Sequence, residues 1–297
     1  VFELPADVPD STVFLNGSFV RMSQARVPVL DRAFIFGDGV YEVIPVYGRR
    51  PFRLPAHLRR LQYSLDQIRL ANPYPDSRWG ELIVELIASC PHVDQSVYLQ
   101  VTRGVAKRDH AFPKAAQPTV FMMANLLSIP SPEAVAAGVP AITAADNRWL
   151  RCDIKSTALL GNVLMRQLAA EAGANETILI RDGWLTEGSA SNVLLVRDGV
   201  ILTPPKSNLI LPGTTCDVVL ELAAKAGMPV DVRQVSEAEL RRPDELWLTS
   251  ATREVLAVST LDGRPVGTGT PGPMFRRMHA LFRAYKQELG SGAPAHA

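Results

Sequence analysis

The stretch Arg148-Trp149-Leu150-Arg151-Cys152-Asp153-Ile154-Lys155-Ser156-Thr157 sets a lysine at the junction between an irregular segment and a helix, expected from about Ser156 to Ala172 and closed by Gly173. Most lysines are solvated surface residues, and that reading of Lys155 stands beside any other. This chain uses lysine sparingly, however. Lys107, Lys114, Lys155, Lys206, Lys225 and Lys286 are all it has, so arginine carries most of the positive charge. An ammonium partly withdrawn from water gives up its proton more readily and becomes an amine nucleophile for a carbonyl. Trp149, Leu150 and Ile154 supply apolar surroundings of that kind.

Outward from this junction, 297 residues accommodate about two domains. The boundary falls at Ser128-Ile129-Pro130-Ser131-Pro132, where two prolines interrupt both helix and ladder hydrogen bonding. Ser131 also reads as a helix cap with Pro132 in the first turn. A small domain over 1–127, a linker over 128–132 and a larger domain over 133–297 follow.

In the first domain, Val13 to Val20 reads as a hairpin, because Asn16-Gly17 suits the two positive φ angles of a type I′ turn. Leu58, Leu61, Leu65 and Ile68 mark a helix from about Pro55, and Trp79, Leu82, Ile83, Leu86 and Ile87 mark a second. Val97, Leu99 and Val101 alternate with polar neighbours as in a half-buried strand, and Thr119 to Leu127 is another. In the second domain, strands are expected at Glu176 to Arg181, Asn192 to Thr203 (a hairpin turning at Asp198-Gly199), Val230 to Val235, Leu246 to Ser250 and Val255 to Thr260. Helices run from about Thr214 to Gly227, from a capping box of Ser236 with Glu239, and from Pro273 to Leu289. Gly290 to Ala297 is expected to be a disordered tail. The fold class is α+β: two domains rich in antiparallel hairpins.

Charge narrows the functions. Thirty-one basic side chains against 30 acidic ones leave a formal +1, with no block of like charges. An electrostatic nucleic-acid or membrane-surface binder needs a clustered basic face, and none is present. Apolar runs such as Val193 to Val196 fall far short of the ~20 residues that span a bilayer. Val1 to Asp10 is acidic and lacks the apolar core of a secretory signal. Cys90, Cys152 and Cys216 are odd in number and widely spaced, which argues against a disulfide framework or zinc site and fits a reducing cytoplasm.

Other positions carry chemistry only in combination. Leu211-Pro212-Gly213-Thr214-Thr215 places a glycine turn and two hydroxyls at a helix N-terminus, which suits a phosphate, although in isolation plain capping by Thr214 or Thr215 is the favoured reading. Thr249-Ser250-Ala251-Thr252 offers further hydroxyls at a strand end. On the helix wheel Arg59 points away from the apolar seam and Arg60 lies on its flank, so Arg60 is the better phosphate candidate. Glu187, in Leu185-Thr186-Glu187-Gly188-Ser189-Ala190-Ser191-Asn192, reads as a turn carboxylate bonding backbone amides, or as a partner for a protonated heteroaromatic nitrogen. Arg108 and His110 lie in a polar loop where two cations can clamp a carboxylate, although on local evidence a plain solvated loop is the favoured reading.

Taken together the chain resembles the fold-type IV pyridoxal-phosphate enzymes, closest to the D-amino-acid aminotransferases. The resemblance spans about Val13 to Thr260 and rests on Asp31-Arg32-Ala33-Phe34-Ile35-Phe36-Gly37-Asp38-Gly39-Val40-Tyr41-Glu42, His57-Leu58-Arg59-Arg60-Leu61, Arg108-Asp109-His110, Arg148 to Lys155, Thr186-Glu187-Gly188-Ser189 and Leu211 to Thr215. It implies a smaller N-terminal α/β sandwich and a larger cofactor-binding domain. It further implies that Lys155 holds pyridoxal 5'-phosphate as a Schiff base and shuttles the substrate proton, while Glu187 pairs with the pyridinium nitrogen. Arg60, Thr214, Thr215, Ser250 and Thr252 would hold the phosphate, with Leu211, Gly213, Ser189 and Ser191 around the cofactor. Tyr41, Arg108 and His110 would bind the substrate α-carboxylate, Arg108 and His110 reaching over from the partner of a homodimer. The implied reaction is ping-pong transfer from a D-amino acid to a 2-oxo acid such as 2-oxoglutarate or pyruvate. Ala190 departs from relatives that often carry a hydroxyl there, which touches one minor hydrogen bond. Branched-chain L-aminotransferases, R-selective amine transaminases and aminodeoxychorismate lyase share the fold, and the Arg108 and His110 pair separates the favoured reading from them.

Overall fold

The computed structural model describes residues 3–291. The chain forms two compact units, one comprising the residues up to Ser128 with Ile154–Leu159, the other Ile129–Asp153 with Leu160–Glu288.

In the first unit β1 (Thr12–Leu15) and β2 (Ser18–Arg21) make the expected hairpin, with φ of 49° at Asn16 and 96° at Gly17. A short helix α1 (Arg32–Phe36) follows, begun by the Asp31 carboxylate accepting from Ala33 N–H and ended by Gly37 at φ 67°. Then come β3 (Gly39–Tyr47), β4 (Arg50–Pro51), α2 (Leu54–Gln67), α3 (Asp76–Ser89), β5 (Gln95–Thr102) and β6 (Thr119–Leu126). The sheet order is β2-β1-β6-β5-β3-β4, every pair antiparallel. Leu58, Leu61 and Leu65 of α2 and Trp79, Leu82 and Leu86 of α3 bury against Val97, Leu99 and Val101 of β5. Each such side chain contributes roughly 1.5–3 kcal/mol on burial.

The apolar pattern does not disclose strand β3. Glu42 sits between Val40 and Ile44 on its buried row, which breaks the apolar alternation, and Pro45 reads as a breaker. The helix expected from Ser156 is also corrected, since α5 starts at Leu160. Ile154 is buried in the first unit's core, and the residues after it pair with β3 instead of coiling. Tyr41 N–H donates to Lys155 O at 2.9 Å, Thr157 N–H donates to Gly39 O at 2.9 Å, and Val40 bridges Ser156.

In the second unit α4 (Pro132–Ala137) begins where Ser131 Oγ accepts from Ala134 N–H at 3.2 Å, as expected. The remaining elements are β7 (Val139–Ala145), α5 (Leu160–Glu171), β8 (Glu176–Arg181), β9 (Trp184–Gly188), β10 (Asn192–Arg197), β11 (Val200–Thr203), α6 (Thr214–Lys225), β12 (Val230–Val232), α7 (Glu237–Leu240), β13 (Glu245–Ser250), β14 (Glu254–Leu261), β15 (Arg264–Pro265) and α8 (Pro273–Ser291). The sheet runs β12-β11-β10-β13-β14-β7-β8-β9, with β15 on β14. It is parallel at β12/β11, β14/β7 and β7/β8 and antiparallel elsewhere. The capping box of Ser236 and Glu239 forms as expected. Strand β7 gives no periodic signal because Pro140 and its alanines hide it, and β12 stops short of the expected Val235. Gly290 and Ser291, expected in a disordered tail, belong to α8, since helix ends shift by a residue or two where no cap marks them. The rest of that tail, 292–297, lies outside the described residues. Among the described residues no helix is long and apolar enough to cross a membrane.

Candidate active site

Lys155 is half-buried, and its position is set from the main chain outward. Its carbonyl accepts from Tyr41 N–H, its own N–H donates to Ser64 Oγ of α2 at 3.2 Å, and its Nζ stands 4.3 Å from the centroid of the Tyr41 ring. Thr157 Oγ1 donates to Gly37 O at 2.8 Å and contacts Gly39 O at 3.2 Å. A Cβ on Gly39 would fall 2.9 Å from Val101 O and 3.2 Å from Thr157 Oγ1, so glycine is required for this approach. Tyr41 stacks on Tyr98 at 5.6 Å, and burial pushes the Tyr98 phenol up to about 12.

Arg60 is buried and Arg59 exposed, as the helix wheel places them. Arg60 Nε and Nη2 each donate to Glu42 at 2.8 Å, and His57 Nδ1 bonds the same carboxylate at 2.7 Å. Burial works to raise the Glu42 pKa, but the charge and hydrogen bonds of Arg60, with those of His57, outweigh it and hold the carboxyl at about 2. Burial keeps His57 below the ordinary imidazole value despite Glu42. An ionised carboxylate only accepts, so His57 donates through Nδ1.

Arg108 and His110 lie on an exposed loop against Phe36, whose ring centroid is 5.4 Å from the Arg108 guanidinium carbon and 5.3 Å from the His110 ring. Among the described residues of one chain, Tyr41 shares neither a hydrogen bond nor a ring contact with them.

In the second unit Glu187 is 5% exposed. Its Oε1 accepts from Arg148 Nη1 at 2.7 Å, and its Oε2 from Leu211 N–H at 3.0 Å and Asn192 Nδ2 at 3.4 Å. Asp146 holds Arg148 through Nε at 2.9 Å and Nη2 at 3.0 Å, and accepts from Thr186 Oγ1 at 2.8 Å. Burial raises the Glu187 pKa to about 7, more than the charge and hydrogen bond of Arg148 lower it. A carboxylate in this state favours a neighbouring cation.

Ser189 and Ser191 direct their hydroxyls onto the buried Glu176, Ser191 at 2.7 Å, and Arg253 pairs with the same carboxylate. Helix α6 is capped by Gly213 and not by Thr214 or Thr215, so its cap position supplies no side-chain hydrogen bond. A Cβ at Gly213 would lie 1.8 Å from Asn192 Oδ1, which leaves glycine as the residue that fits. Thr214 and Thr215 are buried in the first turn; Ser250 Oγ accepts from Arg253 N–H at 3.1 Å, and Thr252 is exposed in the turn between β13 and β14. Leu211 contributes its main chain, the carbonyl accepting from Asn192 Nδ2 at 2.9 Å.

Sequence reasoning gives no roles to Glu42, His57, Asp146, Arg148, Asn192 and Glu176. A carboxylate on an apolar row of β3, and His57 with Arg60 at i, i+3 on one helix face, are the available signals for the first pair. Nothing in the spacing points to Asp146 or Glu176.

The family described as amino-transferase class IV matches residues 39–261, from the start of β3 to the end of β14, and the chain belongs to it. It is similar to a D-alanine aminotransferase of Bacillus licheniformis, 42% identical over 271 residues that cover 91% of this chain and 95% of that protein. A D-alanine aminotransferase of Staphylococcus aureus (strain MW2) is 39% identical over 274 residues, covering 92% and 97%. Among solved structures, a branched-chain amino acid aminotransferase of T.th. with pyridoxamine 5'-phosphate superposes with a TM-score of 0.90 at 27% identity, covering 97% of each chain.

Proposed function

We propose that this chain moves the amino group of a D-amino acid to a 2-oxo acid such as 2-oxoglutarate or pyruvate, by a ping-pong cycle with pyridoxal 5'-phosphate. The observation that carries the reading is the identity of about 40% to D-alanine aminotransferases over more than nine-tenths of the chain. The donor set fits the cofactor. Helix α6 opens at Gly213 without a side-chain cap, Thr214, Thr215 and Ser250 offer hydroxyls, and Glu187 is a buried carboxylate suited to a pyridinium N–H. When bound, the cofactor supplies the electron sink for the charge left on the substrate Cα.

Each side chain then has one task. Lys155 Nζ would hold the cofactor and would move the proton to and from the substrate Cα. Glu187 keeps the ring nitrogen protonated, and Arg60, Thr214, Thr215, Ser250 and Thr252 hold the phosphate. Leu211 and Gly213 bring main chain against the cofactor, and Ser189 and Ser191 fix the turn beside it through Glu176. Tyr41, Arg108 and His110 orient the α-carboxylate, so that the D-enantiomer turns its Cα proton toward Lys155.

Arg108 and His110 reach the site from the partner of a homodimer. Helix α5 supports a dimer, since Leu160, Val163, Leu164 and Leu168 leave one apolar face exposed at helical spacing. Cys90, Cys152 and Cys216 are free and buried, which supports a reducing cytoplasm as the compartment.

The test is a panel of D-alanine, D-glutamate, L-leucine and an R-amine against 2-oxoglutarate, with chiral analysis of the products. D-Glutamate formed from D-alanine is expected. Preference for L-leucine or the amine would replace the reading with the branched-chain or amine alternative, and repeated turnover of added aminodeoxychorismate to pyruvate without any 2-oxo acid would indicate a lyase.

A further inference from the structure

The loop that carries Arg108 and His110 has an unusual anchor. Among the described residues, no backbone-to-backbone hydrogen bond holds Lys107 to Phe112; the last one before it joins Ala106 N–H to Leu30 O at 3.3 Å. The residues are exposed, and within the loop Ala111 N–H bonds only the Asp109 side chain, at 3.1 Å. Such a segment has many conformations of similar energy, and a clamp for a carboxylate requires one.

Arg32 of α1 supplies the constraint. It is 3% exposed, and its Nη1 donates to Asp109 O at 2.5 Å and Ala111 O at 3.4 Å, while Nη2 reaches His110 O at 3.5 Å. One guanidinium therefore gathers three successive carbonyls around the clamp residue His110. The fork is itself held: Asp38 Oδ2 accepts from Arg32 Nε at 2.7 Å and from Arg103 Nε at 2.8 Å. Arg103 in turn donates to Ile68 O at 2.7 Å and stacks on Phe112 at 3.7 Å, which fixes the far end of the loop. Phe36, on the same short helix as Arg32, lies against both Arg108 and His110.

We propose that Arg32, held by Asp38, is the positioning residue that aims Arg108 and His110 at the substrate carboxylate. The inference rests on the reading of those two residues as the clamp. Three carbonyls and one carboxylate demand a planar, always-charged donor fork, which a lysine ammonium does not reproduce. Loss of the fork frees the loop without touching Lys155, so the defect falls on binding of the carboxylate more than on proton transfer.

The experiment compares Arg32→Lys, Phe112→Ala and Arg108→Ala holoenzymes. Steady-state kinetics with D-alanine and single-turnover amine transfer from 1-phenylethylamine are measured, with circular dichroism to verify folding. Arg32→Lys is expected to raise KM for D-alanine at least tenfold with a much smaller change in kcat, and to lower the preference for D-alanine over the amine by a similar factor. Phe112→Ala, at an exposed side chain, should shift the same quantities severalfold in the same direction, and it decides the matter if Arg32→Lys does not fold. If Arg108→Ala abolishes the preference while the other folded variants retain it, the positioning role is overturned and the clamp stands. Retention of the preference by Arg108→Ala overturns both.

Discussion

The main-chain N–H of Tyr41 donates to the carbonyl of Lys155 at 2.9 Å, so the residue assigned to the substrate carboxylate and the residue assigned to its proton are one backbone hydrogen bond apart. A shift of either strand segment moves both groups together. Ser64 on α2 adds a second tether, accepting from Lys155 N–H at 3.2 Å.

Thr157→Val tests that tethering directly. Valine matches the shape of threonine but removes the hydroxyl that donates to Gly37 O. The expected loss is about 1–2 kcal/mol of stability, with kcat/KM for D-alanine reduced by about tenfold as Lys155 loses its alignment. Denaturant unfolding and steady-state kinetics read the two effects, and unchanged values in both would contradict the tethering.

Glu42→Gln tests the buried pairing of Glu42 with Arg60 and His57. Losing the anion leaves Arg60 buried beside a neutral amide, at a cost of about 3–5 kcal/mol. The Glu42 carboxyl has a folded value of about 2 against an ordinary 4.5, so the unfolded chain binds the proton first as pH falls. Its stabilisation is therefore complete above 4.5 and is lost as pH drops through about 2. Urea unfolding across that window should show a steeper acid decline in the parent than in Glu42→Gln; parallel profiles would refute the pairing energy.

Much of this is legible in the chain itself. Asn16-Gly17, the alternation of Val97, Leu99 and Val101, and the capping box at Ser236 each encode local structure within a few residues, and each forms as read. Strand β3 is hidden because its most consequential residue, Glu42, occupies a position where the pattern requires an apolar side chain. Its partners come from α2, so the compensation is invisible in one dimension. A helix start at Ser156 fails for a related reason: Lys155 O accepts from Tyr41 N–H and Thr157 N–H donates to Gly39 O, long-range bonds to β3 that no local propensity reports. Arg148 and Asp146 are two residues apart, yet their joint orientation toward Glu187 depends on β9 returning beside β8.

Glu187→Gln tests the electrostatics at the ring nitrogen. Glutamine keeps the shape and can accept from Leu211 N–H, but it carries no negative charge to stabilise a pyridinium. The expected loss in kcat is at least about 10²-fold, or about 2.7 kcal/mol, with the fold retained because Asp146 still holds Arg148. Steady-state kinetics of the reconstituted variant that match the parent would show that Glu187 does not set the charge of the ring nitrogen.

Borohydride reduction followed by peptide mass analysis tests most directly whether Lys155 carries the cofactor. Reduction should fix the cofactor mass on the peptide containing Lys155, and Lys155→Ala should show neither that label nor turnover. Attachment at any of the other lysines, or near-normal transamination by Lys155→Ala, would contradict that role.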